Sequence, residues 1–367
     1  MALSDTASQL NVVDVQPFLN NPDSPQALEQ CYALLGACTR HRAVLVKDTR
    51  VEFAALVAFQ GMMINFFRRV FQLLREGVAP EGLPHVRPDL FYQVGLTPPK
   101  GEFCRRAKQD WVEWVSSWDP ADRPLGLGPL WDPKLRWFEP VCDPKHRRCE
   151  PESPQANWHE ICMGWARYEI QTLYTLAEML AVGMGLPQDH FLNGLKRGVH
   201  LLAPTGMDLS GELTTPLVVA GTHYDLNWGT LHGPSTLPGL WIWTIHGQKL
   251  LVRVPPGHLL FQVGRQLAIQ TSGLLQEGFH EVVITDDLLP EIRDLMRGNK
   301  SPIRTTSTLF GTLAGDVPTL PHGMLFGELP QRMQDVVRAH YPEIDGTAED
   351  QIMGELAKIA FAKGETP

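Results

Sequence analysis

The spacing of apolar residues changes character near residue 197. Upstream it is helical: Leu28, Cys31, Tyr32, Leu35 and Cys38 recur every three or four positions, the stripe a helix turns toward a core. Ser24-Pro25 ahead of them offers an N-cap and a proline at the first helical position. Residues 51–76 carry a second long helical pattern. A third helix is predicted from Ser153-Pro154, with Ala166, Ile170, Leu173, Ala177 and Leu180 on one face and a stop at Gly183, Gly185 and Pro187. Residues 11–15 and 43–46 read as short strands. Residues 119–154 hold eight prolines and little periodicity, which predicts a long irregular, lid-like segment.

Downstream, apolar runs shorten and are punctuated by Gly and Pro: 199–202, 217–220, 240–245, 250–254, 259–269, 281–284 and 305–313. Short strands at this spacing predict an antiparallel sandwich or barrel rather than a doubly wound sheet. Ile352, Leu356 and Ile359 mark a closing helix. The expectation is an α+β chain: a mostly helical region over 1–196, a β core over 197–320 and a helical tail over 321–367, integrated into one domain.

Composition narrows the function classes. In 367 residues, 43% hydrophobic and 20% charged are ordinary for a globular protein and exclude a disordered or collagen-like chain. The formal charge of −9 leaves no global positive field to gather nucleic acid or anionic lipid. Six cysteines without a CxxC pair predict reduced thiols rather than a disulfide scaffold. No secretion signal and no apolar run long enough for a membrane helix is visible, so a soluble cytoplasmic protein is expected.

The chemistry concentrates at Gly221-Thr-His-Tyr-Asp225, followed 55 positions after Asp225 by Gly278-Phe-His280. On an extended strand His223 and Asp225 point the same way. Two imidazoles and one carboxylate on one face of an octahedron leave three positions open, which suits iron(II) that must bind oxygen and an organic ligand. Alone, His-x-Asp is common and ordinarily a hydrogen-bonded polar pair.

The surrounding pieces alter that reading. His223-Tyr-Asp225, Pro238-Gly-Leu240, Pro255-Pro-Gly257, Gly264-Arg-Gln-Leu267, Thr271-Ser-Gly273 and His280-Glu-Val-Val283 together resemble the catalytic core of the isopenicillin N synthase-like, iron(II)- and 2-oxoglutarate-dependent oxygenases. The resemblance is strong over residues 179–313 and looser elsewhere. It implies a double-stranded β-helix (jelly-roll) core, with iron(II) held by His223, Asp225 and His280. It also implies a late-strand Arg-x-Ser pair for the far carboxylate of 2-oxoglutarate, here Arg304 and Thr306, a guanidinium fork and a hydroxyl. The activity implied is oxidation by O2 of a small molecule, an amino acid or natural-product intermediate, by hydroxylation, desaturation or cyclisation, with release of succinate and CO2. In the family this region borders the substrate chamber, so Trp228, Trp241 and Trp243 are candidate aromatic walls, although core packing is the commonest fate of such residues.

Two other readings stay open. Oxidases of the same fold that use no 2-oxoglutarate, such as isopenicillin N synthase and aminocyclopropane-carboxylate oxidase, hold the substrate's own carboxylate on the Arg-x-Ser pair. A non-catalytic β-sandwich binding module would take up no iron at all.

The chain departs from the family pattern in places. Glu281 stands where arginine is usual and Arg265 where aspartate is usual, a paired exchange in which the two would meet across strands. Residues 200–205 lack the family's tyrosine, and the longer stretch after Glu281 carries Arg293 and Arg297. Cys142, His146 and Cys149 lack the fourth ligand of a zinc site. Lys145 to Arg148 read as a solvated basic run, and residues 91–99 with Arg105 and Arg106 as a candidate cover for the site. His232 and His246 read as packing or surface residues, because the ligand triad is complete without them.

Overall fold

In the computed structural model, which describes residues 10–83, 86, 95–97, 134–139, 158–298, 300–319, 331–340 and 346–354, the helical and strand-forming halves interleave. Strand β1 (Val12–Asp14) leads through α1 (Gln16–Asn20) and α2 (Pro25–His41) to β2 (Ala43–Lys47), its parallel partner. The Ser24 hydroxyl accepts the Ala27 N–H at 3.1 Å, an N-cap of the kind that contributes about 1 kcal/mol. Arg42 ends the helix in the left-handed region, φ 59°, with its N–H on the Cys38 carbonyl. Helices α3 (Phe53–Arg75) and α4 (Trp158–Gly183) follow.

Beside β2 the large sheet continues with β11 (His258–Val263), β8 (Gly229–His232), β14 (Thr308–Gly311), β5 (His200–Leu202), β4 (Lys134–Glu139), β6 (Thr205–Asp208) and β13 (Ile303–Thr306), while β3 (Gly95–Thr97) pairs with β4. The smaller sheet runs β10 (Lys249–Leu251), β9 (Leu240–Trp243), β12 (His280–Ile284) and β7 (Leu217–His223). Apart from β1 with β2, the strands pair antiparallel. Mixed helix and antiparallel sheet is thus the architecture.

Helices α3 and α4 back the large sheet: α3 packs on β6 and β13, and α4 on β8 and β14. Trp165 of α4 stacks on Phe59 of α3 with ring centroids 5.9 Å apart. Both are fully buried, each contributing about 2 kcal/mol or more. With one face of the large sheet covered by helices, its other face looks toward the smaller sheet, and the two line a shared cavity.

Several expectations are corrected. The run 259–269 is a strand only to Val263. A Cβ on Gly264 would lie 2.0 Å from the Asn227 carbonyl, so the chain passes there as glycine before winding into the buried helix Arg265–Gln270. The run 305–313 is two strands parted at Ser307, whose hydroxyl turns away to accept the Gly233 N–H and donate to Glu169. The irregular segment expected over 119–154 contributes strand β4 between β5 and β6, and its remaining residues lie outside those described. So do Ser153-Pro154, the candidate zinc cluster and basic run at 142–149, Arg105 and Arg106. Of 91–99 only Gly95–Thr97 is described. The closing helix is described at 348–354. Among the described residues no helix is long and apolar enough to cross a membrane.

Candidate metal centre

Antiparallel pairing of β7 with β12 sets His280 directly opposite His223, and their rings stand 4.2 Å apart, tilted by 53°. Asp225 lies just beyond the end of β7, where its backbone carbonyl accepts the Arg265 N–H at 2.9 Å. Its Oδ1 is 3.7 Å from His223 Nε2 and its Oδ2 is 3.9 Å from His280 Nε2. One ligand atom from each of the three residues falls within 4.8 Å of the others. These separations are too long for mutual hydrogen bonds and short enough for one ion to touch all three.

The rings are oriented by a device used twice. His223 Nδ1 donates to the Gly221 carbonyl at 2.7 Å, and His280 Nδ1 donates to the Gly278 carbonyl at 3.0 Å. A carbonyl can only accept, so each Nδ1 carries the proton and each Nε2 presents a lone pair toward Asp225. The repeated Gly-x-His is the sequence trace of this arrangement. A Cβ on Gly278 would sit 3.0 Å from the Arg42 carbonyl. Asp225 Oδ2 also accepts the Thr230 hydroxyl at 2.6 Å. Burial pushes the Asp225 carboxyl up, but the His280 and His223 rings in their protonated form, and the Thr230 bond, outweigh it and lower it below the usual carboxylate range. An anionic carboxylate with two imidazole lone pairs is a donor set that fits a divalent transition metal.

The triad sits in the wall of a cavity lined by residues of both sheets. Arg304 and Thr306 line the same cavity. Arg304 is buried, and its Nε donates to the Pro238 carbonyl at 3.2 Å. The Thr306 hydroxyl lies 3.1 Å from the Ser307 carbonyl and 3.4 Å from that of Gly233. The two residues share a face because they alternate along β13. Opposite them, the smaller sheet presents Ala220, Leu240 and Val282.

The three tryptophans do not line the cavity. Trp228 is fully buried against Phe191 and Phe261 and donates its indole N–H to Gln270 at 3.0 Å. Trp241 and Trp243 share a face, with the Lys249 ammonium 4.6 Å and 5.4 Å from their ring centroids. That face is opposite Leu240, and strand alternation therefore turns them away from the cavity.

Arg265 and Glu281 form separate pairs rather than one exchange. Arg265 bonds Glu277 at 2.7 Å, while Glu281 lies 3.3 Å from Lys249 and accepts the Thr222 hydroxyl at 2.6 Å. Both pairs are buried. Thr205 lines the cavity at the end of the stretch that lacks a tyrosine.

His232 was not expected here, whereas His246 is exposed. The His232 ring lines the cavity, 6.0 Å from the His280 ring. Its Nε2 is 2.7 Å from the Gln262 side-chain amide and its Nδ1 is 3.4 Å from the Thr308 hydroxyl. Burial, with the neighbouring His280, pushes its pKa down to about 4.

No protein-family model and no curated protein matches this chain. Solved structures do resemble it. A protein from Caulobacter crescentus assigned to the 2OG-Fe(II) oxygenase family aligns with TM-score 0.66 and 18% identity, covering 96% of this chain and 100% of its own. A full-length Neurospora crassa protein in complex with α-ketoglutarate aligns with TM-score 0.66 and 15% identity, covering 97% and 98%. The dioxygenase for auxin oxidation 1 from Arabidopsis thaliana, in complex with 2-oxoglutarate, aligns with TM-score 0.56 and 14% identity, covering 83% and 92%. At such identities the likeness is one of fold.

Proposed function

We propose that this chain is an iron(II)- and 2-oxoglutarate-dependent oxygenase acting on a small molecule in the cytoplasm, built on a double-stranded β-helix core. The observation that carries the reading is convergence. His223, Asp225 and His280 meet in one wall of a cavity whose other residues include a buried arginine and an adjacent threonine. A non-catalytic module has no use for that arrangement. The fold shared with proteins solved with α-ketoglutarate or 2-oxoglutarate supports the same reading. The small-molecule assignment draws on the Neurospora protein's complex with thymine and on the auxin oxidation for which the Arabidopsis protein is named.

In this reading His223, Asp225 and His280 hold the iron, which with 2-oxoglutarate and O2 supplies the oxidation of an unactivated bond. The protein's own contribution is placement. Gly221 and Gly278 fix the imidazole tautomers, and Thr230 fixes the carboxylate. Arg304 and Thr306 take the far carboxylate of the cosubstrate, the guanidinium as a fork and the hydroxyl as a third donor. Ala220, Leu240 and Val282 wall the opposite side and keep water from the hydrocarbon part of the ligand.

The test is to load the purified protein with iron(II) without oxygen, admit O2, and measure oxygen uptake and succinate with and without 2-oxoglutarate across a metabolite panel. Succinate formed in step with substrate oxidation is the expected result. Turnover without 2-oxoglutarate would favour an oxidase in which Arg304 holds the substrate's carboxylate, and failure to take up stoichiometric iron(II) would end both readings.

A further inference from the structure

Residues 304 to 310 present a row to the cavity at every second position: Arg304, Thr306, Thr308 and Phe310. Successive members of such a row stand about 7 Å apart. Thr308 is the Cα partner of His232 on β8, and the His232 ring is the neighbour of the ligand His280, at 6.0 Å. The row therefore leads from the guanidinium, through two hydroxyls, to an imidazole beside the metal ligands. A five-carbon diacid seated on Arg304 and Thr306 extends along it toward Thr308 and His232.

Hydrogen bonding at that end is unfinished. The 3.4 Å between Thr308 Oγ1 and His232 Nδ1 is too long for a strong bond. Gln262 Nε2 is buried with no hydrogen-bond partner among the described residues, while the amide oxygen faces His232 Nε2 at 2.7 Å. A half-turn of that amide is isosteric, and a buried N–H without an acceptor is the costlier orphan. Turned over, the amide donates to His232 Nε2, so the ring carries its proton on Nδ1. His232 and Thr308 then offer two donors side by side in the cavity wall.

We infer that His232, together with Thr308, is a further cosubstrate contact, donating hydrogen bonds to the oxo-acid end of 2-oxoglutarate. The inference rests on the proposed function. It assigns to a histidine on β8 a role in cosubstrate affinity separate from metal binding.

The experiment titrates 2-oxoglutarate into anaerobic, iron(II)-loaded wild-type, His232→Leu, Thr308→Val and Arg304→Leu proteins, by calorimetry and by the visible absorbance of the complex. Iron(II) affinity is measured separately without 2-oxoglutarate. His232→Leu is expected to raise the dissociation constant for 2-oxoglutarate about ten-fold and Thr308→Val about three-fold, with iron(II) affinity unchanged. The near-isosteric Thr308→Val carries the test if the leucine variant does not fold. Wild-type affinity in these variants, alongside a loss in Arg304→Leu, would overturn the inference and leave the cosubstrate reading standing. A fall in iron(II) affinity would overturn it too, by making both residues props of the metal ligands. No 2-oxoglutarate binding by the wild-type protein would remove the reading beneath it and this inference together.

Discussion

Replacing Glu169 with glutamine isolates one buried acid behind the site. Glu169 lies in α4, fully buried, and its Oε1 accepts the Ser307 hydroxyl at 2.8 Å. Ser307 in turn accepts the N–H of Gly233, a cavity residue, at 3.0 Å. Burial pushes the Glu169 carboxyl from 4.5 up to about 8, and the Ser307 and Trp165 side chains offset this only in part. Folded, the group keeps its proton to about pH 8; unfolded, it loses it near 4.5. Between those values the native state binds more protons, so stability falls as pH rises. At about 1.4 kcal/mol for each pH unit, the interval from 4.5 to about 8 corresponds to a loss on the order of 5 kcal/mol. Glutamine has nearly the same shape, bonds Ser307 through either amide atom, and does not titrate. Urea denaturation of both proteins at pH 5, 6, 7 and 8, followed by tryptophan fluorescence, provides the measurement. Other titrating groups are common to both chains and cancel in the difference. The advantage of Glu169→Gln should be small at pH 5 and grow by about 1 kcal/mol per unit up to pH 8. A difference that does not change with pH would refute the reasoning.

His223→Ala and Asp225→Ala should each abolish stoichiometric iron(II) uptake, assayed by metal content after anaerobic loading and desalting. Wild-type protein with iron(II) at a hundred times its dissociation constant should gain about 2.7 kcal/mol of stability, and both variants should lose that gain. Gly264→Ala places a methyl 2.0 Å from the Asn227 carbonyl. It should cost about 3 kcal/mol in chemical denaturation and weaken iron binding as well, because the next residue's N–H holds the Asp225 backbone. Glu281→Gln deprives buried Lys249 of its carboxylate and should cost about 3 kcal/mol, with the Glu281→Gln, Lys249→Met double variant recovering much of the loss.

Much of this protein was legible from residue order alone. Helical stripes, the Ser24 cap and most strand-forming runs are local periodicities, and His223, Asp225 and His280 stand out because the sequence pieces around them resemble the core of a known oxygenase family. What the order of residues could not decide was which side of a strand meets the cavity. Trp241 and Trp243 alternate with Leu240 and Ile242, and only the pairing of β9 with β12 turns the tryptophans outward and His280 inward. A slip of one residue would reverse both. His232 looked like ordinary packing because a histidine within an apolar strand carries no local mark. Its place beside His280 depends on β8 joining β14 and β11. Arg265 and Glu281 found Glu277 and Lys249 instead of each other for the same reason. Periodicity and side-chain chemistry are local properties of the chain, whereas a cavity is lined by residues far apart in sequence, and sheet register alone determines which of them share it.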